Sequence, residues 1–154
     1  MTVIERDEGA EVGDGRLRLG DIDDHLGYFL RRLQVWVFQD FIAALSSMNL
    51  RPAQFSVLLV IAANPGRSQA EIGRTLNIER ARLARMVQEL EERGWLRRKA
   101  SERDARSHTL MLTADGTKAV ARARALAAEH ETRVTAHVGA ERREQLMRLL
   151  REFG

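Results

Sequence analysis

The chain contains no cysteine among its 154 residues, which excludes disulfide bonds, thiol redox sensing and cysteine-ligated zinc. Proline is scarce as well: Pro52 stands where a helix would begin, and Pro65 where one would end. No apolar run approaches the roughly 20 residues that span a bilayer, and the acidic first residues lack the apolar stretch of a secretory signal. We therefore expect a mainly helical, cytoplasmic protein with no membrane partner.

Charge is nearly balanced overall, with a formal net charge of +3, but it is unevenly distributed. Residues 80–106 carry nine Lys or Arg against five Asp or Glu, a net of +4, whereas residues 1–24 carry eight acids against three Arg, a net of −5. A basic centre beside an acidic arm predicts a polyanionic partner that contacts the middle of the chain. An unevenly charged solvated surface is the simpler alternative, and charge alone leaves it open.

The amino-terminal part of the chain divides into an arm and a long helix. Residues 1–20 are charged and rich in glycine and have little apolar periodicity, so we expect a flexible acidic arm. From about residue 22 to 48 apolar residues recur at helical spacing, and five of the eight aromatic residues fall here. Because this helix is apolar on more than one side, one of its sides must be buried against a partner chain or a ligand.

The middle of the chain has the spacing of a helix-turn-helix followed by a β-hairpin. Ser68 to Glu71 matches the S-x-x-E capping box that starts a helix, and Asn77 can take the left-handed conformation that ends one. A basic amphipathic helix follows over about 79–93. Two strand-like runs, 95–99 and 108–112, then flank a polar, charged turn.

This pattern predicts a motif that contacts duplex DNA at two places. In a helix-turn-helix the first residues of the second helix reach base edges in the major groove, and here they include three arginines opposite the apolar side: Arg80, Arg82 and Arg85. The hairpin tip carries Arg103 and Arg106, which can reach the flanking minor groove. Ser68 and Gln69 lie at a helix N-terminus, where backbone amides can hold a phosphate.

These residues resemble the MarR (multiple-antibiotic-resistance regulator) family of winged-helix transcription regulators. The resemblance extends over about residues 26–153 and rests on four segments: Leu76-Asn77-Ile78, Gly94-Trp95-Leu96, Asp104-x-Arg106 and Leu112-Thr113-x-x-Gly116. Two departures stand out. Glu79 and Ala81 occupy the start of the recognition helix, where members often have Ser or Thr, and Ser107 follows Arg106 where a second Arg is common. The operator sequence therefore does not carry over from the family.

The resemblance implies a winged helix-turn-helix fold, mainly α with a small β-hairpin wing, whose N- and C-terminal helices interlock in a homodimer. On this basis residues 21–154 form a single domain, with the winged helix-turn-helix at about 50–113 and the dimerisation helices at about 22–48 and 114–153. A two-fold dimer places its recognition helices about one DNA turn apart, roughly 34 Å, and so reads a pseudo-palindromic double-stranded operator.

The resemblance also implies a repressor that a small aromatic or acidic effector releases from DNA. Candidate pocket residues are aromatic side chains of the first two helices and one neighbouring cation: Tyr28, Phe29, Arg32, Trp36 and Phe55. Ordinary core or interface packing is the alternative for each of them. The stretches 78–83 and 89–95 most resemble members that control aromatic-acid breakdown, which favours an aromatic acid or its coenzyme A thioester as the effector.

The sequence gives little support for other functional classes. The sequence contains no glycine-rich phosphate loop, nucleophile motif or H-E-x-x-H, so we expect no catalysis and no cofactor. His130 and His137 are seven residues apart and provide too few ligands for a convincing metal site, so we expect no bound metal. The alternative function is an architectural DNA-binding protein without sequence specificity, which would bind all duplexes about equally and with a steep salt dependence.

Overall fold

The computed structural model describes residues 17–100 and 108–152. In these ranges the chain is mainly helical, with one small antiparallel sheet, which confirms the predicted fold class. The elements follow in the order α1 (Leu26–Leu45), α2 (Pro52–Ala63), β1 (Arg67–Ser68), α3 (Gln69–Thr75), α4 (Arg80–Glu92), β2 (Leu96–Ala100), β3 (His108–Leu112), α5 (Ala114–Val138) and α6 (Ala140–Arg151). Short 3-10 helices at Gly20–Asp24 and Ser46–Met48 flank α1. The chain divides into two compact units, one ending at Val35 and the other beginning at Trp36.

The first unit contains the opening half of α1. A 3-10 helix precedes it, and α1 begins at Leu26 rather than near residue 22, because His25 has an extended backbone with φ −94° and ψ 108° that separates the two helices. Large apolar side chains in this half of α1 are exposed, among them Leu26, Phe29 and Leu30. The opening half of α1 thus leaves apolar surface uncovered, as its sequence pattern predicts.

The core of the second unit forms around α2. This helix is apolar on nearly all sides, which is the pattern of a helix enclosed by its neighbours. Val57, Leu58 and Ile61 are fully buried and join a cluster that draws side chains from the end of α1 and from α3, α4, β2, β3 and α5. Both α3 and α4 are therefore packed against the same hydrophobic core.

The sheet has three strands in the order β1-β3-β2, although the sequence predicts only a hairpin. The additional strand pairs Arg67 with Leu110 and Ser68 with Thr109. Gly66 makes this pairing possible: it turns the chain after α2 with φ 80°, and its N–H donates to the carbonyl oxygen of Leu110 at 3.1 Å. As a result, the start of α3 is tied to the wing strands.

The last two helices are long and mostly exposed. α5 continues to Val138, and Gly139 ends it with φ 90°. α6 has no buried residue, and its Leu149 and Leu150 are exposed. Among the helices of the described ranges, none is both long and apolar enough to cross a membrane.

Candidate nucleic-acid interface

The start of α3 is fixed by the predicted capping box. The Ser68 hydroxyl accepts a hydrogen bond from the Glu71 backbone N–H at 3.3 Å, and the Ser68 N–H donates to the Glu71 carboxylate at 2.8 Å. The hydrogen bond from the Ser68 backbone is the main reason that the pKa of Glu71 is lowered. Ser68 is therefore held by both the sheet and the cap, while Gln69 opens the helix beside it.

Glu79 caps the amino terminus of the recognition helix α4. Its two carboxylate oxygens accept the backbone N–H groups of Ala81 at 2.8 Å and Arg82 at 2.9 Å, and these hydrogen bonds lower the pKa of Glu79. From the sequence, this glutamate is recognisable only as a departure from the family pattern. Its carboxylate satisfies the first amides of α4, so the cap presents the arginines that follow in a defined geometry.

The arginines of α4 lie on two flanks of the helix. The opposite side of α4 is buried and contains four apolar residues: Leu83, Met86, Val87 and Leu90. Arg80 shares a groove of about 980 Å³ with Ser68 and Gln69, which we call the α3–α4 groove. Arg82 and Arg85, in contrast, line a second cavity of about 700 Å³. The three predicted DNA contacts on α4 are thus all exposed, but they belong to two different surfaces of the helix.

The second cavity, called here the arginine cavity, lies where α4 faces the end of α1 and the start of α2. Its apolar lining comes mainly from Phe38, Ile42, Leu50, Pro52, Ala53 and Met86. Its charged lining consists of three guanidinium groups and one carboxylate: Arg51, Arg82, Arg85 and Glu89. An apolar cavity with a surplus of positive charge fits a molecule that has both an apolar body and an anionic group.

The strands of the wing add a guanidinium group and an imidazole ring to the α3–α4 groove. Arg98 of β2 and His108 of β3 line it beside Arg80. The Nε of Arg98 lies 3.3 Å from a carboxylate oxygen of Glu91, which ties β2 to α4. Arg98 is not among the DNA contacts predicted from the sequence, although its neighbours Arg97 and Lys99 make β2 a basic strand. The predicted contacts Arg103 and Arg106 lie outside the described residues.

The base of the wing is joined to α5 through the Leu-Thr-x-x-Gly segment. Thr113 caps α5 by accepting the Gly116 N–H at 2.9 Å, and its hydroxyl donates to the Gly94 carbonyl at 2.6 Å. Its backbone N–H also donates to the Trp95 carbonyl at 3.0 Å. Gly116 packs so close to Trp95 that a Cβ there would lie 1.9 Å from the Trp95 oxygen. The motif thus makes a close joint between the wing and the long helix.

The candidate effector residues of the first unit form one local group. The rings of Tyr28 and Phe29 meet edge to face with centroids 5.3 Å apart, and the Arg32 guanidinium carbon lies 5.6 Å from the Tyr28 ring centre. The Arg32 cation thus lies against the Tyr28 ring, which in turn contacts Phe29, so one cation and two aromatic rings are linked in this unit.

Trp36 and Phe55 pack against different partners in the second unit. Trp36 stacks on His137 with ring centroids 4.4 Å apart, while Phe55 meets Phe41 edge to face at 5.3 Å. His137 is thereby placed in an aromatic contact. No group of metal-binding side chains occurs within residues 17–100 and 108–152.

Asp40 is a polar contact of the second unit that the sequence analysis missed. Its carboxylate accepts hydrogen bonds from Arg133, with Nη2 at 2.9 Å, and lies 2.6 Å from Nδ1 of the buried His130. The bonds from Arg133 and then His130 lower the pKa of Asp40. An aspartate within an apolar helix pattern is the only sequence signal for this link, which joins α1 to α5.

An arginine-bearing helix, a capped helix start beside it and a three-stranded wing sheet define a winged helix-turn-helix protein. Two structures of the repressor CouR share this arrangement over 90% of the chain. The one bound to a 23-mer DNA duplex has a TM-score of 0.86 and 45% identity and is covered over 98% of its length. The one bound to p-coumaroyl-CoA has a TM-score of 0.80 and 43% identity and is covered over 97%.

Curated relatives lead to the same family. The MarR family model matches residues 48–107. The HTH-type transcriptional repressor Rv2887 of Mycobacterium tuberculosis is 31% identical over 86% of this chain and 95% of its own length. A putative transcriptional regulatory protein for the hcr operon of Thauera aromatica is 34% identical over 67% of this chain, which spans 63% of that relative. The chain belongs to the MarR family of transcription regulators, as its sequence resemblance predicts.

Proposed function

We propose that the chain binds a pseudo-palindromic DNA operator as a homodimer and represses transcription until an anionic aromatic effector releases it. The observation that carries this proposal is the recognition helix itself. The amino-terminal half of α4 exposes Arg80, Arg82 and Arg85, while its opposite side is buried in the core. Arginine forks match the edge of guanine in the major groove, so this half of α4 is suited to base reading. The structural similarity to DNA-bound CouR supports the same reading.

Our assignment of functions to segments of the chain follows the family pattern. We assign DNA binding to the winged helix-turn-helix at about 50–113, with Ser68, Gln69, Arg103 and Arg106 as further contacts, and dimerisation to the flanking helices. Exposed apolar side chains on the opening half of α1 and on α6 support this assignment. Apolar surface of this kind is what an obligate dimer buries. Two-fold symmetry then gives an operator with two half-sites.

We further propose that the effector combines an aromatic ring with a strongly anionic group. CouR has been solved with p-coumaroyl-CoA, and Rv2887, at 31% identity and a TM-score of 0.66, with salicylic acid. In this chain the arginine cavity offers apolar walls and a surplus of guanidinium groups. Tyr28, Phe29 and Arg32 in the first unit are further candidates for effector contacts, and so, separately, are Trp36 and Phe55 in the second unit.

The cellular location and the absence of a catalytic role follow from the proposed regulation of a DNA operator. The protein would act in the cytoplasm, where the operator lies, and the proposal includes no catalytic step. No comparison favours the alternative of an architectural DNA-binding protein.

A competition experiment tests this function directly. The purified chain would be titrated onto the DNA that flanks its own gene and onto random duplex, first without and then with p-coumaroyl-CoA. We expect a preference of about 10³-fold or more for one flanking site, and loss of that complex when the thioester is added. Equal affinity for all duplexes, with only a steep salt dependence, would instead identify an architectural binder.

A further inference from the structure

Within the described ranges, the arginine cavity is lined by one carboxylate, which belongs to the recognition helix. Glu89 of α4 forms an ion pair with the Arg51 guanidinium at the start of α2. The same Glu89 oxygen accepts a hydrogen bond from Nε2 of Gln54 at 2.7 Å. Among the described residues that line the cavity, Glu89 is therefore the anion that occupies Arg51.

The two contacts of Glu89 differ in how firmly they are held. Gln54 is buried, with only 3% of its surface exposed, and its side-chain oxygen also accepts the Arg51 backbone N–H at 3.1 Å. The Arg51 side chain is 62% exposed at the cavity mouth. An exposed ion pair contributes little because water and salt screen it. Arg51 can leave Glu89 without burying an unpaired charge, since Gln54 remains as a partner.

The carboxyl-terminal end of α4 is anchored separately. Arg93 donates to the carbonyl oxygens of Met48 at 2.5 Å and Asn49 at 3.1 Å, and its guanidinium lies 3.7 Å from the centre of the Trp95 ring. Loss of the Arg51 contact would therefore leave this end of α4 in place. Glu89 lies one turn before this anchor and one turn after Arg85, so a change at Glu89 acts on the part of α4 that lines the arginine cavity with Arg82 and Arg85.

We propose that Glu89 is a resident anion for Arg51, and that an anionic group of the effector replaces it there and thereby loosens α4 from α2. The proposal rests on the anionic effector of the proposed function and adds the means by which its binding reaches the recognition helix. Glu89 is a positioning residue in this scheme, because it acts on DNA through the placement of Arg82 and Arg85. The occupant of the cavity is an aromatic molecule that carries a carboxylate or phosphate.

The test uses the full-length protein and Glu89→Gln, which keeps the side-chain volume and an oxygen acceptor for Gln54 but removes the charge. The matched control is Glu92→Gln, which makes the same charge change one turn along α4, where Glu92 accepts a hydrogen bond from Gln88 at 2.9 Å and does not line the cavity. Release of operator DNA is titrated with p-coumaroyl-CoA, with coenzyme A alone and with p-coumarate. The last two probes separate a phosphate from a carboxylate as the replacing anion.

We expect Glu89→Gln to lower the p-coumaroyl-CoA concentration for half-release by about 1.4- to fivefold, the range that corresponds to an exposed ion pair worth about 0.2–1 kcal/mol. Glu92→Gln should leave this concentration unchanged. In an Arg51→Ala background the effect of Glu89→Gln should vanish, because the two residues act as a pair.

Two results would overturn the proposal in different ways. Equal shifts in Glu89→Gln and Glu92→Gln, or a shift that persists without Arg51, would reject the exchange while leaving the anionic effector intact. Failure of all three probes to release DNA from the unaltered protein would reject both the exchange and the effector class.

Discussion

Replacement of Gly116 by alanine should disrupt the joint between the wing and α5. A Cβ at this position would lie 1.9 Å from the Trp95 oxygen and 2.8 Å from the Trp95 carbonyl carbon, both of them backbone atoms. Real Cβ contacts essentially never fall below 3.0 Å, so α5 and the Trp95 peptide would have to separate by about 1.1 Å, the difference between 3.0 and 1.9. A backbone atom cannot turn aside as a flexible side chain does.

The cost of this separation can be worked out from the contacts it breaks. Overpacking a close site costs about 1–3 kcal/mol. The separation would also stretch the hydrogen bonds from Thr113 to the Trp95 and Gly94 carbonyls, each worth about 1 kcal/mol. Together these give a loss of about 3–5 kcal/mol in the free energy of unfolding, or a Tm lowered by at least about 6 °C for a chain of this size.

Thermal unfolding followed by circular dichroism measures this effect, and Gly27→Ala is the matched control. Gly27 lies in α1 with no heavy atom within 4 Å of a built Cβ, so alanine there should be neutral or stabilising by up to about 1 kcal/mol. A Gly116→Ala protein that melts within about 2 °C of the unaltered chain would refute the reasoning.

Three further outcomes are expected. Arg82→Ala should reduce the preference for operator over random duplex by about tenfold, since a bidentate contact to a base is worth about 1–3 kcal/mol; unchanged discrimination in a competition gel-shift would contradict base reading by this residue. Asp40→Asn should destabilise the protein above pH 3.8, the ordinary pKa of the carboxyl group, because Arg133 and His130 lower the pKa of Asp40 in the folded state. The Tm difference between the two proteins should shrink as pH falls through that lowered pKa, and a difference that widens in acid would reject the assignment. Finally, p-coumaroyl-CoA should quench the fluorescence of Trp36 in a Trp95→Phe protein, and an unchanged spectrum would remove Trp36 from the effector site.

The features that sequence predicted well depend on residues close together in the chain. The capping box of Ser68 and Glu71 forms as expected, because its partners are three residues apart. Asn77 takes the expected left-handed conformation with φ 50°. The buried side of α4 also follows from its periodicity, since four apolar residues at helical spacing define one face.

Features that the sequence could not reveal depend on which distant element comes close. Periodicity shows that the arginines of α4 point away from the core, but the separation of Arg80 from Arg82 depends on neighbours supplied by α1, α2 and α3. Asp40 meets a histidine 90 residues away, and Arg51 meets a glutamate 38 residues away. The two-residue strand β1 is too short to leave a period in the sequence, and pairing with β3 alone defines it.

The placement of the α4 arginines on two flanks has a genetic consequence. Arg80 borders the α3–α4 groove, whereas Arg82 and Arg85 line the cavity that we assign to the effector. In a reporter strain, mutations at Arg80 should give a single phenotype, which is constitutive expression of the target gene. Mutations at Arg82 or Arg85 should also be recovered in selections for altered induction. Substitutions among the apolar residues of the cavity could then change which inducer binds. Arg82 and Arg85 would be conserved, because each of them serves both DNA binding and effector binding.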